Sequence, residues 1–171
     1  MSGSLIGLYF KAVMSPLLAA RELFPADKAR VDAMADDAWY PWDDFKLLVA
    51  TVASELSYVS LCHVGKQVMA TAAPLFREQG YASPDDFLSD WYALVATNVR
   101  DVPEADAPRT IEYSPGYAVL EASDAQPLAL VEGYVRGAVD HFGGYLVELR
   151  AEVLYRGDER RFRWTVHWGR R

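Results

Sequence analysis

The run from Val131 to Trp168 constrains the fold more than any other part of the chain. It reads Val131-Glu132-Gly133-Tyr134-Val135-Arg136-Gly137-Ala138-Val139-Asp140-His141-Phe142-Gly143-Gly144, followed by two alternating segments that meet at Arg156-Gly157-Asp158-Glu159. Leu128, Val131, Val135, Ala138 and Phe142 recur at helical spacing behind Pro127, and the double glycine supplies the stop. Gly133 and Gly137 lie one turn apart, a spacing that predicts close packing of this helix on the sheet. Val147, Leu149, Ala151, Val153 and Tyr155 then alternate on one face of a strand. Phe162, Trp164, Val166 and Trp168 do so on the returning strand, which sends Arg161, Arg163 and His167 to a second, solvated face.

The preceding chain is mostly helical in pattern. Leu5–Met14, Leu17–Phe24 and Asp27–Ala35 read as helices, and Trp39-Tyr40-Pro41-Trp42 as a break. Asp43 and Asp44 then open a helix carrying Phe45, Leu48, Val49, Val52, Ala53 and Leu56. Val64, Val68, Met69, Ala72, Leu75 and Phe76 form a further stripe, which Pro74 kinks or divides. Ser83-Pro84-Asp85-Asp86 is a helix start, with Phe87, Leu88, Trp91, Tyr92 and Val95 behind it. After an acidic linker from Val102 to Pro108, the period changes to two. Thr110–Tyr113 and Tyr117–Glu121 read as a hairpin around Ser114-Pro115-Gly116. The expected architecture is α+β: one domain over residues 1–171, a helical half, then an antiparallel sheet of about four strands with a helix between its two hairpins.

Composition removes several function classes. The net charge is −7, with 24 acidic against 17 basic residues. A nucleic-acid partner needs a clustered cationic face, and Arg160, Arg161, Arg163, Arg170 and Arg171 read instead as a solvated strand face and terminus. The single cysteine, Cys62, excludes an intrachain disulfide and suits a reducing compartment. The start has no cationic segment before an apolar core, and no apolar run approaches the ~20 residues of a membrane span. A cytoplasmic protein is expected.

Chemistry-bearing motifs are sparse. His63, His141 and His167 form no zinc-type spacing with one another or with Cys62. Cys62 and His63 are adjacent, and neighbours on a helix do not face each other. His141 falls at a helix end, where a cation complements the dipole. The pairs Asp36/Asp37, Asp43/Asp44 and Asp85/Asp86 fit loops and helix starts. No nucleophile elbow, phosphate loop or dinucleotide fingerprint is present. The chain reads as a non-enzyme with no metal site. Trp91, Tyr92, Tyr117, Val119 and Trp164 either line an apolar ligand pocket or simply fill the core. Trp39, Tyr40 and Trp42 either form a docking surface for a protein partner or a second copy, or fold back onto the chain's own core.

Several short motifs, in order along nearly the whole length, resemble the haem nitric-oxide/oxygen-binding superfamily. They are Gly3-Ser4-Leu5-Ile6-Gly7, Tyr40-Pro41-Trp42-Asp43-Asp44, Val64-Gly65-Lys66-Gln67, Val131-Glu132-Gly133 and the final hairpin. The pattern is also similar to vinyl-reductase-type ligand domains and the small subunits of the TRAPP tethering complex. Gly7-Leu8, Tyr40-Pro41 and Trp168 resemble a paralogous family of unknown function known mainly from myxobacteria. The resemblance implies a sensing or interaction module. In haem-binding members it would also imply a histidine on the helix corresponding to Phe87–Val99, and Tyr-x-Ser-x-Arg before the last helix. This chain has no histidine in the first segment. Glu121–Gln126 lacks the tyrosine and arginine of the second, and Tyr113–Tyr117 still lacks the arginine. A haem-independent, cofactor-free module for a small apolar molecule or a protein partner is the expectation. A haem or tetrapyrrole sensor with a non-standard ligand is the alternative.

Overall fold

Val99, Leu5 and Tyr40 lie side by side in a small sheet that the hydrophobic pattern does not announce. In the computed structural model, which describes residues 3–96, 98–103, 106 and 108–170 apart from the side chains of 94 and 95, β1 (Ser4–Ile6) pairs antiparallel with β2 (Trp39–Pro41) and β3 (Val99–Arg100). The expected helix over Leu5–Met14 is thus shortened to α1 (Gly7–Met14), because pairing with two distant segments takes its first residues. The side chain of Val95 and the residue Arg171 lie outside the described residues, as do positions 104, 105 and 107 of the acidic linker.

The helical half continues with α2 (Ala20–Leu23), α3 (Pro25–Asp32), α4 (Trp42–Glu55) and α5 (Tyr58–Glu78). Asp43 and Asp44 occupy the first turn of α4, where their charge meets the positive end of the dipole. Ser57 caps α5 by accepting from the Ser60 amide. α5 runs unbroken through Pro74, held on both sides of it by the buried Met69, Ala72, Ala73 and Phe76. The helix expected from Phe87 onward is instead divided into α6 (Pro84–Leu88) and α7 (Trp91–Ala96). The Thr110 hydroxyl donates to the Leu88 carbonyl and accepts from the Trp91 amide, both at 3.0 Å, and so stitches the break to β4. The predicted start of α6 is present as a capping box between Ser83 and Asp86.

The main sheet has the order β4-β5-β7-β6, built from β4 (Arg109–Ser114), β5 (Tyr117–Ser123), β6 (Gly144–Arg156) and β7 (Glu159–Arg170). Between β5 and β6 runs α8 (Leu128–His141), which ends where Gly143 adopts φ +83°, a conformation that favours glycine. This is the α+β arrangement the sequence predicts. One detail differs. A bulge between Leu146 and Glu148 leaves Val147 exposed and puts Leu146, not Val147, opposite the buried Trp168.

Two apolar clusters form the core. α1, α3, α4 and the first half of α5 enclose one around Phe10, Val31, Leu48 and Val64. The second half of α5, the α6–α7 turn, α8 and the inner sheet face enclose the other around Phe76, Phe87, Val135 and Trp164. The glycines of α8 face α5 and not the sheet: a Cβ on Gly133 would stand 2.1 Å from the Cys62 carbonyl oxygen. The sheet is met by Val131, Val135, Ala138 and Val139 on the opposite side of α8.

The solvated sheet face also departs from expectation. Arg161 is buried, and its Nε donates at 3.0 Å to Glu121, a carboxylate with no solvent exposure. Arg163 and Arg156 complete the clamp on Glu121, each at 3.0 Å. Asp85 likewise does more than start a helix. It accepts from the Tyr113 hydroxyl at 2.9 Å and pairs with Arg170 at 3.1 Å, which fastens α6 to the sheet. Burial pushes its carboxyl up, but these hydrogen bonds prevail and hold it below the usual range. No helix among the described residues is long and apolar enough to cross a membrane.

Candidate functional site

The two core clusters do not close completely on each other. Between them lies a cavity of about 80 Å³, reached by the inner faces of β1, α1, α4, α5, α7, β3 and α8. Leu5, Trp42, Phe45, Val68, Met69, Phe76 and Trp91 make its wall apolar. Tyr9 and Tyr134, which line it, pack against both clusters. Tyr134 is carried by α8 immediately after Gly133, so the close crossing on α5 fixes how far its ring enters.

Four polar side chains complete the lining: Tyr9, Tyr134, Asn98 and Gln126. The Tyr134 hydroxyl donates to Gln126 Oε1 at 3.1 Å. The Tyr9 hydroxyl has no hydrogen-bond partner among the described residues. Burial raises both phenols far above their ordinary value, and the proximity of Tyr9 adds to the effect at Tyr134. Both are neutral hydroxyls at any physiological pH, able to donate one hydrogen bond and accept others. A volume of this size is about half that of an apolar cavity that takes benzene or xenon, ~150 Å³. The site therefore suits a very small, uncharged guest with an apolar body and room for one hydrogen bond.

Of the five pocket residues expected from sequence, the structure brings only Trp91 to this cavity. Tyr92, the next residue of α7, is half-buried and does not line it. Trp164 is fully buried between sheet and helices, edge-on to Phe162 at 6.0 Å. Tyr117 and Val119 point to the outer sheet face, where Tyr117 lies against His167 with ring centroids 4.8 Å apart. Trp39, Tyr40 and Trp42 fold back on the chain. Trp42 is buried, stacks on Phe45 at 5.4 Å and donates from Nε1 to Asp106 at 3.0 Å. The Tyr40 ring meets Phe10, and its hydroxyl accepts from the Ala35 amide at 2.9 Å. Arg100 covers Trp39 at 3.8 Å. Of the three rings, Trp42 is taken into the core at the start of α4, while Trp39 and Tyr40 stay half-buried in β2.

The histidines lie elsewhere. His63 is exposed on α5, and His167 stands on the outer sheet face. His141 is not the cation its helix-end position suggests: burial, with Lys66 and Arg77 nearby, pushes its imidazole below the ordinary value despite Asp140. Burial pushes the Cys62 thiol up, which makes it a poor nucleophile. No group of three or more His, Cys, Asp or Glu among the described residues could hold a metal ion.

Against known proteins, the likeness is structural. No family model matches the chain. No curated protein matches it. Solved structures do. The unliganded Fe(II) H-NOX protein from K. algicida superposes with a TM-score of 0.65 over 98% of each chain, at 13% identity. An oxygen-binding H-NOX domain related to soluble guanylate cyclases, solved as its oxygen complex, gives 0.62 over 95% of this chain and 92% of that one, at 16% identity. A mutant of T. Tengcongensis H-NOX gives 0.61 over 95% and 94%, at 17% identity. The chain has the H-NOX fold over 95–98% of its length.

The haem that the resemblance read from the sequence would imply finds a poor match in the described lining of this cavity. Among the described residues the lining offers iron no imidazole and no thiolate, only the Met69 thioether and two phenols held protonated by burial. None of the described lining residues is a cation that could face propionates. Its volume is several-fold below the ~300–1,000 Å³ of pockets for drug-sized ligands.

Proposed function

We propose that this chain is a non-enzymatic, haem-independent sensing module that takes a very small neutral ligand between its two core clusters. The observation that carries the reading is the composition of the cavity wall: chiefly apolar, with two neutral tyrosine hydroxyls and two side-chain amides, and without histidine or cation among the described residues. A guest there would touch α1, α4, α5, α7 and α8 together. Its binding could therefore change how the helical half sits on the sheet half, which is what a signalling domain requires.

Xenon tests the cavity without prejudging the ligand. Under xenon pressure, methyl NMR signals of Leu5, Val68 and Met69 should shift saturably, while those of exposed Leu18 and Val59 should not. Shifts spread over the surface alone would remove the site.

The alternative reading, a haem- or tetrapyrrole-based gas sensor, is favoured by the full-length likeness to H-NOX structures, one of them an oxygen complex. In that case Tyr9, Tyr134 or Met69 would have to approach the iron. Titration with haemin should give no sharp Soret band at one haem per chain. A stoichiometric band that is lost in Tyr134→Phe or Tyr9→Phe would establish the haem reading and overturn ours.

A further inference from the structure

Among the described residues, no strand pairs with the long outer edge of the main sheet. β6 runs for 13 residues at one end of the order β4-β5-β7-β6 and pairs only with β7 among the described residues. The other edge, β4, has six residues, is bulged, and is stitched to the α6–α7 break through Thr110. An unpaired strand edge is a template for another chain, and proteins usually blunt it with prolines, lysines or short length. β6 has a bulge of its own between Leu146 and Glu148, but from Glu148 to Arg156 it runs regularly, without proline or lysine, and its charges alternate in sign. Exposed apolar residues gather on the same strand: Val147 at 66%, Val153 at 40% and Tyr155 at 70%. Val153 and Tyr155 continue the face that carries the core-facing Leu149 and Ala151, so the hairpin overhangs the helices and leaves part of its core side bare.

The order of charges on β6 says what fits there. Antiparallel pairing of β6 with its own copy about a two-fold axis at Ala151 sets Arg150 opposite Glu152, and by symmetry Glu152 opposite Arg150. The same register sets Leu149 opposite Val153, and brings Val147 of one chain beside Tyr155 of the other. Both ion pairs are attractive, and the bare Val153 and Tyr155 of each chain meet apolar residues of its partner, Leu149 and Val147. Moving the axis to Arg150 would oppose Arg150 to itself and Glu148 to Glu152, which like-charge repulsion disfavours. Arg150 and Glu148 are both well exposed, and their own ion pair is long at 3.4 Å, so Arg150 can turn to a partner.

We propose that β6 is a homodimer interface, joining two copies edge to edge into one eight-stranded sheet with Ala151 on the axis. The closed two-fold symmetry limits assembly to two chains. This surface is separate from the cavity, and its failure would leave the ligand reading untouched.

Light scattering through a concentration series, with charge variants, decides the matter. Wild type should be a dimer. Arg150→Glu and Glu152→Arg each place like charges opposite one another twice and should each weaken the dimer by roughly tenfold or more. Mixing the two variants restores both ion pairs and should give a heterodimer. The circular dichroism of each variant should match wild type, since both side chains stand at the open edge of the sheet. A wild type that stays monomeric at its highest soluble concentration would overturn the proposal. So would a dimer indifferent to both substitutions, or one broken by Arg150→Glu but not by Glu152→Arg, which belongs to a different register.

Discussion

Gly133→Ala should lower the stability of this protein by about 3 kcal/mol, the upper end of the usual range for overpacking, and Gly133→Leu should leave little folded protein. Alanine in a helix is ordinarily better than glycine by roughly 0.5–1 kcal/mol, so the expected sign is the reverse of the intrinsic one. A Cβ at Gly133 stands 2.1 Å from the Cys62 carbonyl oxygen, 2.8 Å from Gly65 Cα and 2.9 Å from the Lys66 nitrogen. All three are backbone atoms of α5, so no rotamer change relieves the clash and the two helices have to move apart. Gly65 is the reciprocal contact: a Cβ there meets the Leu130 carbonyl oxygen at 2.1 Å. Gly137→Ala should cost less, because its nearest contacts are longer, Met69 Cβ at 2.6 Å and the Lys66 carbonyl oxygen at 3.0 Å, so a smaller shift of the helices relieves them. Urea denaturation of the three variants checks the ranking. A midpoint for Gly133→Ala equal to or above wild type would mean that α5 and α8 do not cross there.

The same glycines show what a sequence discloses and where it stops. Their spacing announces a close approach but not to which layer. The partner surface is Gly65, far upstream, and the face of α8 toward the sheet carries ordinary apolar residues. The last hairpin and α8 are readable because long alternation and a double glycine are local signals. β1 is not, since so short a segment has no period, and its strand character comes from pairing with Trp39–Pro41 and Val99–Arg100. The division of α6 from α7 depends on the Thr110 hydroxyl, which belongs to another element. The candidate site suffers most from this. Helical and strand periodicity marks Trp91 and Trp164 alike as inward, but does not say that one reaches the gap between two clusters and the other fills one of them. Tyr9 and Tyr134 carry a faint signal, a polar-tipped ring on a buried helix face, which only their common position in the fold turns into a site.

Glu121→Ala should cost about 3 kcal/mol, near the lower end for removing one partner of a buried ion pair. Arg161 is the reason. It is buried with the carboxylate, and after the substitution it keeps only Glu159, at 2.7 Å on the more exposed side. Arg156 is exposed enough to rehydrate, and Arg163, with its Nε buried, is so only in part. Glu121→Met combined with Arg161→Met should therefore recover much of the loss, since it removes the buried pair as a unit. Burial alone would raise the Glu121 carboxyl. The Arg163 hydrogen bond, the Arg156 charge and the Arg161 contact outweigh it and hold the group below the usual glutamate range. A depressed folded-state value means that this stabilisation is complete above the unfolded glutamate pKa of about 4.3 and is lost as pH falls through the lower folded value. Wild type should thus lose stability on acidification, whereas Glu121→Gln should lack that component while starting from a lower plateau at neutral pH. Denaturation midpoints measured across that range decide it: parallel curves for the two proteins would show that Glu121 is not ionised in the folded sheet.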